Sequence, residues 1–388
     1  LRWIEPPNAM NEENAAPPLD FFRDLRDLLR NGLRRMPASY REKHIRHLMR
    51  RQTAGGLFAD RRGQADLYYT AFALRALSAL DALTPELSGV VLEQLRARRQ
   101  IFAANPNPPP TAPFFNAVTA ASFWDAVELC REAAKQPPTE ELQAAGDETE
   151  AALHRLRRPD GGWAKTPEEG GGSTYHAFLV FCLYGRLGRP LPQAAAAASF
   201  LETMAEPEGG FRENAAVKKP GANGTAAGLT LYFLLNRKLD SFTKILPHPN
   251  LPQKERGGKT TFYEQIKIDS LPNPENQSAL LAEIGSAARH IAYLMNLRGT
   301  DGGFFAATNA PWTDLLSTFS ALSVLKPVLE NTAPEMWTEW TTAAGKFADS
   351  LEHPSGGYLG FALDPTPDTE YAFYGLGIKA LAALAAKE

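Results

Sequence analysis

Asp301-Gly302-Gly303-Phe304 closes one helical stretch, and Asp314-Leu315-Leu316-Ser317-Thr318-Phe319 opens the next. This pair is one copy of a pattern that decides the fold. Two adjacent glycines followed by a large apolar residue occur five times, at Gly55-Gly56-Leu57, Gly161-Gly162-Trp163, Gly209-Gly210-Phe211, Gly302-Gly303-Phe304 and Gly356-Gly357-Tyr358. Successive copies lie 106, 48, 93 and 54 residues apart. Two gaps are near fifty and two near twice that, so one degenerate copy is expected in each long gap. The first would hold the turn at Asn105 to Pro113 and a helix near Asn116 to Cys130. The second would fall at Gly257-Gly258, where Lys259 replaces the aromatic.

Each copy has the same internal order. A helical stretch runs into the glycines, as Arg289 to Leu297 does before Gly302. A loop follows, and then a second stretch richer in apolar residues: Tyr68 to Leu80, Tyr175 to Leu187, Thr225 to Leu235, Ser317 to Leu325 and Tyr371 to Leu384. Alanine and leucine dominate, which favours helix over strand. One αα-hairpin cannot bury its apolar face alone, so neighbours must stack. The expected fold is an all-α toroid of about six to seven hairpins, with the apolar helices inside and a central cavity bordered by the loops after the glycines. Those glycines read as helix caps in the left-handed conformation.

Composition agrees. The chain has 388 residues, 44% hydrophobic and 22% charged, which suits a large core. With 41 basic and 44 acidic residues the net charge is −3, which argues against nucleic acid as a partner. Cys130 and Cys182 sit in apolar helical stretches and read as buried thiols. No stretch approaches the ~20 apolar residues of a transmembrane helix. The N-terminus lacks a signal-peptide shape, so a cytoplasmic location is the default expectation. Residues 1–18 read as a loose segment preceding one toroid domain over 19–388. Insertions are expected at 104–115, which is proline-rich, and at 240–277, which is polar.

The repeat resembles that of the prenyltransferase and squalene-oxidase family, which also underlies squalene cyclases. It is nearest to the β subunits of protein prenyltransferases of the Rab geranylgeranyl transferase type. The resemblance covers most of residues 45–388 and implies an α/α toroid with an isoprenoid-lined cavity. It also implies zinc, held by an Asp and a Cys in Asp-x-Cys and by a His in Asp-x-x-His-Thr, which activates a substrate cysteine toward a prenyl diphosphate. Asp314 matches the first aspartate, but Leu316 stands at the cysteine. Asp368 matches the aspartate of the last segment, but Tyr371 stands at the histidine. The ligand set is therefore incomplete, since zinc takes about four donors. Thr308 and Pro311 hold the places of the family's diphosphate-binding Arg and Lys. The Asp-x-Asp-Asp acid of squalene cyclases and the Cys-Gly-Glu-Gln of thioester toroids are absent.

Several residues could still carry chemistry. Asp314, Asp368 and His176 are candidate catalytic groups, the aspartates doubling as helix caps along with Asp66. Asp314 is also the remaining candidate metal ligand. Tyr68, Tyr69, Tyr175, Tyr371 and Tyr374, near the starts of inner helices, are candidates for binding an isoprenoid or another apolar molecule. His44 and His47 read as part of a solvated basic outer face. The expected function is that of a prenyltransferase-like toroid, an isoprenoid-binding transferase with a degenerate zinc site. The alternatives are a non-catalytic toroid binding a lipid or a protein partner and, more distantly, a terpene-cyclase-like or carbohydrate-active enzyme.

Overall fold

A computed structural model of the chain describes residues 20–103, 112–236 and 287–386. The expected loose segment 1–18, the insertion at 240–277 and most of that at 104–115 lie outside these, as does the degenerate copy at Gly257-Gly258. Among the described residues the chain is helical apart from one two-residue ladder, β1 (Phe304–Phe305) with β2 (Thr313–Asp314).

After a first helix α1 (Phe21–Arg34), outer and inner helices alternate. The outer ones are α2 (Ala38–Met49), α4 (Pro85–Ala103), α6 (Glu140–Leu156), α8 (Ala194–Met204), α10 (287–296) and α12 (Pro334–Leu351). The inner ones are α3 (Leu67–Ala79), α5 (Ala117–Ala134), α7 (Thr174–Arg186), α9 (Ala222–Asn236), α11 (Leu315–Thr332) and α13 (Thr369–Ala385). Each inner helix packs on the next, and α13 packs back on α3. The result is a closed α/α toroid of six hairpins. Because α9 packs directly on α11, the described ring closes without a seventh. Inner helices bury residues on every face, as ten of the thirteen in α7 show, whereas α12 buries one stripe.

The glycine turns join the hairpins. In each of five copies an antiparallel bridge closes a tight turn, from Gln52 to Phe58, Arg157 to Trp163, Ala205 to Phe211, Arg298 to Phe304 and Glu352 to Tyr358. At the equivalent place in each turn, Gly56, Gly161, Gly209, Gly302 or Gly356 has a φ between +91° and +102°. The first copy is thus shifted by one residue from its apparent alignment: Gly56 matches Gly161, and Phe58, not Leu57, is its aromatic. At four of these glycines a Cβ would meet a backbone carbonyl of the next outer helix. Gly161 would meet Ala196 of α8 at 2.2 Å, and Gly356 would meet Lys43 of α2 at 2.5 Å. The glycines therefore serve close approach between hairpins as well as a left-handed turn.

That last contact is where the ring closes. Around it, the His44 Nε2 lies 2.9 Å from Glu352, its Nδ1 accepts from the Gly357 amide at 3.1 Å, and its ring stacks on Tyr358. His44 and His47 are accordingly buried. They fill the seam between first and last hairpins, which corrects the reading of a solvated face. Cys130 and Cys182 are free and buried.

Helix α1 lies across the C-terminal ends of the inner helices. Its Arg30 donates to Ser78 Oγ at the end of α3, and Arg34 pairs with Asp81 at 2.7 Å. Arg35 donates to the Ala383 carbonyl of α13, and Arg26 pairs with Glu132 of α5. One end of the ring is thereby closed.

Candidate functional site

Five of the six inner helices start alike. Asp66, Asn116, Ser173, Asp314 and Asp368 each accept, through a side-chain oxygen, the backbone N–H three residues on. The common cap fixes a common rotation, so equivalent positions face the ring axis. The second residue of every inner helix lines one central cavity: Tyr68, Val118, Tyr175, Asn223, Leu316 and Glu370. All six are half-buried.

Further tiers follow at helical spacing. Phe72, Phe178, Phe319, Phe373 and Tyr374 form the next, and Arg75 lies one turn deeper on α3. Phe21, Phe22 and Leu25 of α1 form the floor. The cavity has a volume of ≈ 210 Å³, and nine of its lining residues are aromatic. Ring pairs meet edge to face, as Phe72 and Tyr374 do at 5.4 Å.

Two lining residues can carry charge. Arg75 pairs with Asp125, which also holds Arg186 at 3.1 Å. Its guanidinium lies over Phe22 at 4.7 Å and Phe72 at 5.0 Å. Glu370 accepts from the Tyr68 hydroxyl at 2.7 Å and from that of Tyr374 at 3.4 Å. Burial raises its pKa, and nearby Asp368 adds to the rise. Tyr175 is pushed up to about 12 by burial and stays neutral.

Of the tyrosines proposed from sequence, Tyr68, Tyr175 and Tyr374 line the cavity, while Tyr69 and Tyr371 do not. Asp314, Asp368 and His176 also lie outside the lining. Asp314 caps α11, its two oxygens accepting from the Ser317 amide and hydroxyl at 2.7 and 2.8 Å. Asp368 accepts from the Tyr371 amide at 2.8 Å and from Arg61 Nε at 2.6 Å. Arg61 also forks onto Asp364, tying the first loop to the last. His176 is buried with its Nδ1 2.8 Å from Ser173 Oγ, and Ser173 in turn donates to Glu213. Burial pushes its pKa down to about 4.

These surroundings do not suit zinc. Both oxygens of Asp314 are committed to its cap, Leu316 offers no donor, and the Asp368 carboxylate is held by Arg61. Among the described residues no three His, Cys, Asp or Glu side chains are grouped to hold a metal ion. Glu370, Asn223 and Arg75 were missed in the sequence. For Glu370 and Asn223 the signal was present, because each lining residue of the first tier stands two places after the cap position; Arg75, deeper on α3, had no such signal.

No family model and no curated protein matches the sequence. Solved structures do. A variant of a type II terpene cyclase from Scytonema, in complex with geranylgeranyl dihydroxybenzoate, aligns over 94% of this chain and 99% of its own, with 12% identity and a TM-score of 0.51. Candida albicans protein geranylgeranyltransferase-I, complexed with GGPP, aligns over 89% of this chain and 90% of its own, with 14% identity and a TM-score of 0.51. The α/α toroid is shared with isoprenoid-binding prenyltransferases and terpene cyclases. No helix among the described residues is long and apolar enough to cross a membrane.

Proposed function

We propose that this chain binds an apolar molecule of the isoprenoid class in the cavity of the ring, and that zinc-assisted transfer to a cysteine is not its chemistry. The observation that carries the reading is the cavity wall, built by the same position of all six inner helices and lined by nine aromatic residues. A flexible polyene gains most from such a wall, through apolar burial and through contact with ring faces. Two proteins of the same fold, solved with a geranylgeranyl substrate and with GGPP, support the choice of ligand class. The second clause rests on the committed oxygens of Asp314 and Asp368 and on Leu316 and Tyr371 at the other two ligand places.

Retention of tritiated geranylgeraniol by the full chain on gel filtration tests the reading, with one molecule expected per chain. Ser320 lines the cavity and is half-buried, so tryptophan there should occupy the space without disturbing the helix contacts. Ser320→Trp is expected to weaken binding at least tenfold, about 1.4 kcal/mol, while the melting temperature stays close to that of the parent. No retention by the parent chain, or equal retention by the variant, would remove the reading.

A further inference from the structure

We propose that Glu370 reads the polar end of the ligand, so that the ring takes an isoprenoid ending in an uncharged oxygen and turns away one ending in a diphosphate. This rests on the apolar-ligand reading above and narrows it.

A diphosphate needs fixed positive charge at its oxygens. Among the described residues the cavity lining contains one cation, Arg75, and Asp125 pairs with it. Arg61, in the loop beside Glu370, is equally committed, forked onto Asp364 and bonded to Asp368 at 2.6 Å. A diphosphate entering this space would meet no unpaired guanidinium among the lining residues, and it would meet a carboxyl.

An uncharged oxygen meets a prepared partner. Both tyrosine hydroxyls donate to the same atom of Glu370, Oε1. That leaves Oε2 with no hydrogen bond among the described residues, on a side chain that lines the cavity. When Glu370 is protonated, Oε2 can donate to a hydroxyl, ether or carbonyl oxygen; when ionised, it can accept from a hydroxyl. Burial favours the protonated form over a wider pH range than for an exposed glutamate. The tyrosines hold the carboxyl in place by bonding the oxygen that the ligand does not use. The apolar tiers beneath would take the hydrocarbon chain, so Glu370 at the first turn of α13 also sets which end points up.

Three C20 probes separate the possibilities in direct binding to the full chain: geranylgeraniol, the same hydrocarbon without oxygen, and geranylgeranyl diphosphate. The alcohol is expected to bind about tenfold more tightly than either of the others, as one hydrogen bond in a dry site provides. Glu370→Gln keeps the shape, an acceptor for Tyr68 and a donor for the ligand. It should preserve the preference for alcohol over hydrocarbon while improving diphosphate binding several-fold in alkaline buffer, where the carboxyl of the parent chain is ionised and the amide carries no charge. Glu370→Leu should erase the difference between alcohol and hydrocarbon. If the leucine variant fails to fold, the glutamine variant still decides, since an unchanged ratio of diphosphate to alcohol affinity overturns the proposal. So does a parent chain that binds diphosphate as tightly as alcohol. The two readings fail differently. If none of the probes binds, the cavity reading falls. If all three bind equally and Ser320→Trp blocks them, only the role of Glu370 falls.

Discussion

Gly356→Ala is expected to destabilise the ring by about 2–5 kcal/mol, read as a fall in the urea midpoint. Two costs add. The residue sits at φ +91°, where an L side chain is strained by about 1–2 kcal/mol. A Cβ there would also lie 2.5 Å from the Lys43 carbonyl oxygen and 2.9 Å from His47 Cβ. Neither is the loose end of a side chain, so the first and last hairpins would have to separate. Gly63→Ala is the control. Gly63 has φ +83° in a turn with nothing within 4 Å of the added carbon, so only the backbone cost of about 1–2 kcal/mol should appear. Equal losses for the two variants would show that close approach between hairpins contributes nothing.

Acid is expected to unfold the protein through its buried histidines. Burial is the largest influence on the four among the described residues, pushing His44, His47 and His176 down to about 4 and His290 to about 3. In the unfolded chain each takes its proton near the ordinary value of about 6.5. Between those values the unfolded state binds more protons, so stability rises with pH and is lost as pH falls from about 6.5 toward 4. At full shift each histidine is worth on the order of 3 kcal/mol. Four such groups rival the roughly 5–15 kcal/mol that holds a typical domain together. Asp24, Glu213, Asp314 and Glu370 have raised values and act the other way over this range. Urea stability measured against pH should fall steeply through this window, and the histidine ring protons should titrate late by NMR. A flat profile would contradict the burial of these rings as charge-excluding groups.

The ring was legible because its signal is periodic. Five glycine turns in phase predict stacked hairpins whatever each copy does in detail. The second hairpin lacks the glycine pair, yet its inner helix is announced by Asn116, which forms a capping box with Thr119. The cavity wall was less legible. Tyrosines near helix starts drew attention as a class, but Tyr68 and Tyr69 are neighbours separated by about 100° of helix rotation, and one of them faces the axis. The caps hold the register that distinguishes them. Counting two residues on from Asp368 reaches Glu370, and from Asp314 reaches Leu316. His44 and His47 read as a solvated face because they sit among Arg41, Lys43 and Arg46 on α2. Their burial comes from the Gly356-Gly357 turn, some three hundred residues away, which local pattern cannot register.

The seam has a consequence for how the chain acquires its shape. Tyr40 meets Tyr358, a separation of 318 residues, and α1 rests on Ala380 of the last helix. Contacts of such range are reached late in folding, because the intervening chain must first be ordered. During synthesis α13 emerges last of the described helices, so until then α3 and α11 present unpartnered apolar flanks. A ribosome-bound chain halted before α13 should therefore expose its aromatic lining and recruit chaperones. One carried past α13 should become protease-resistant in a single step.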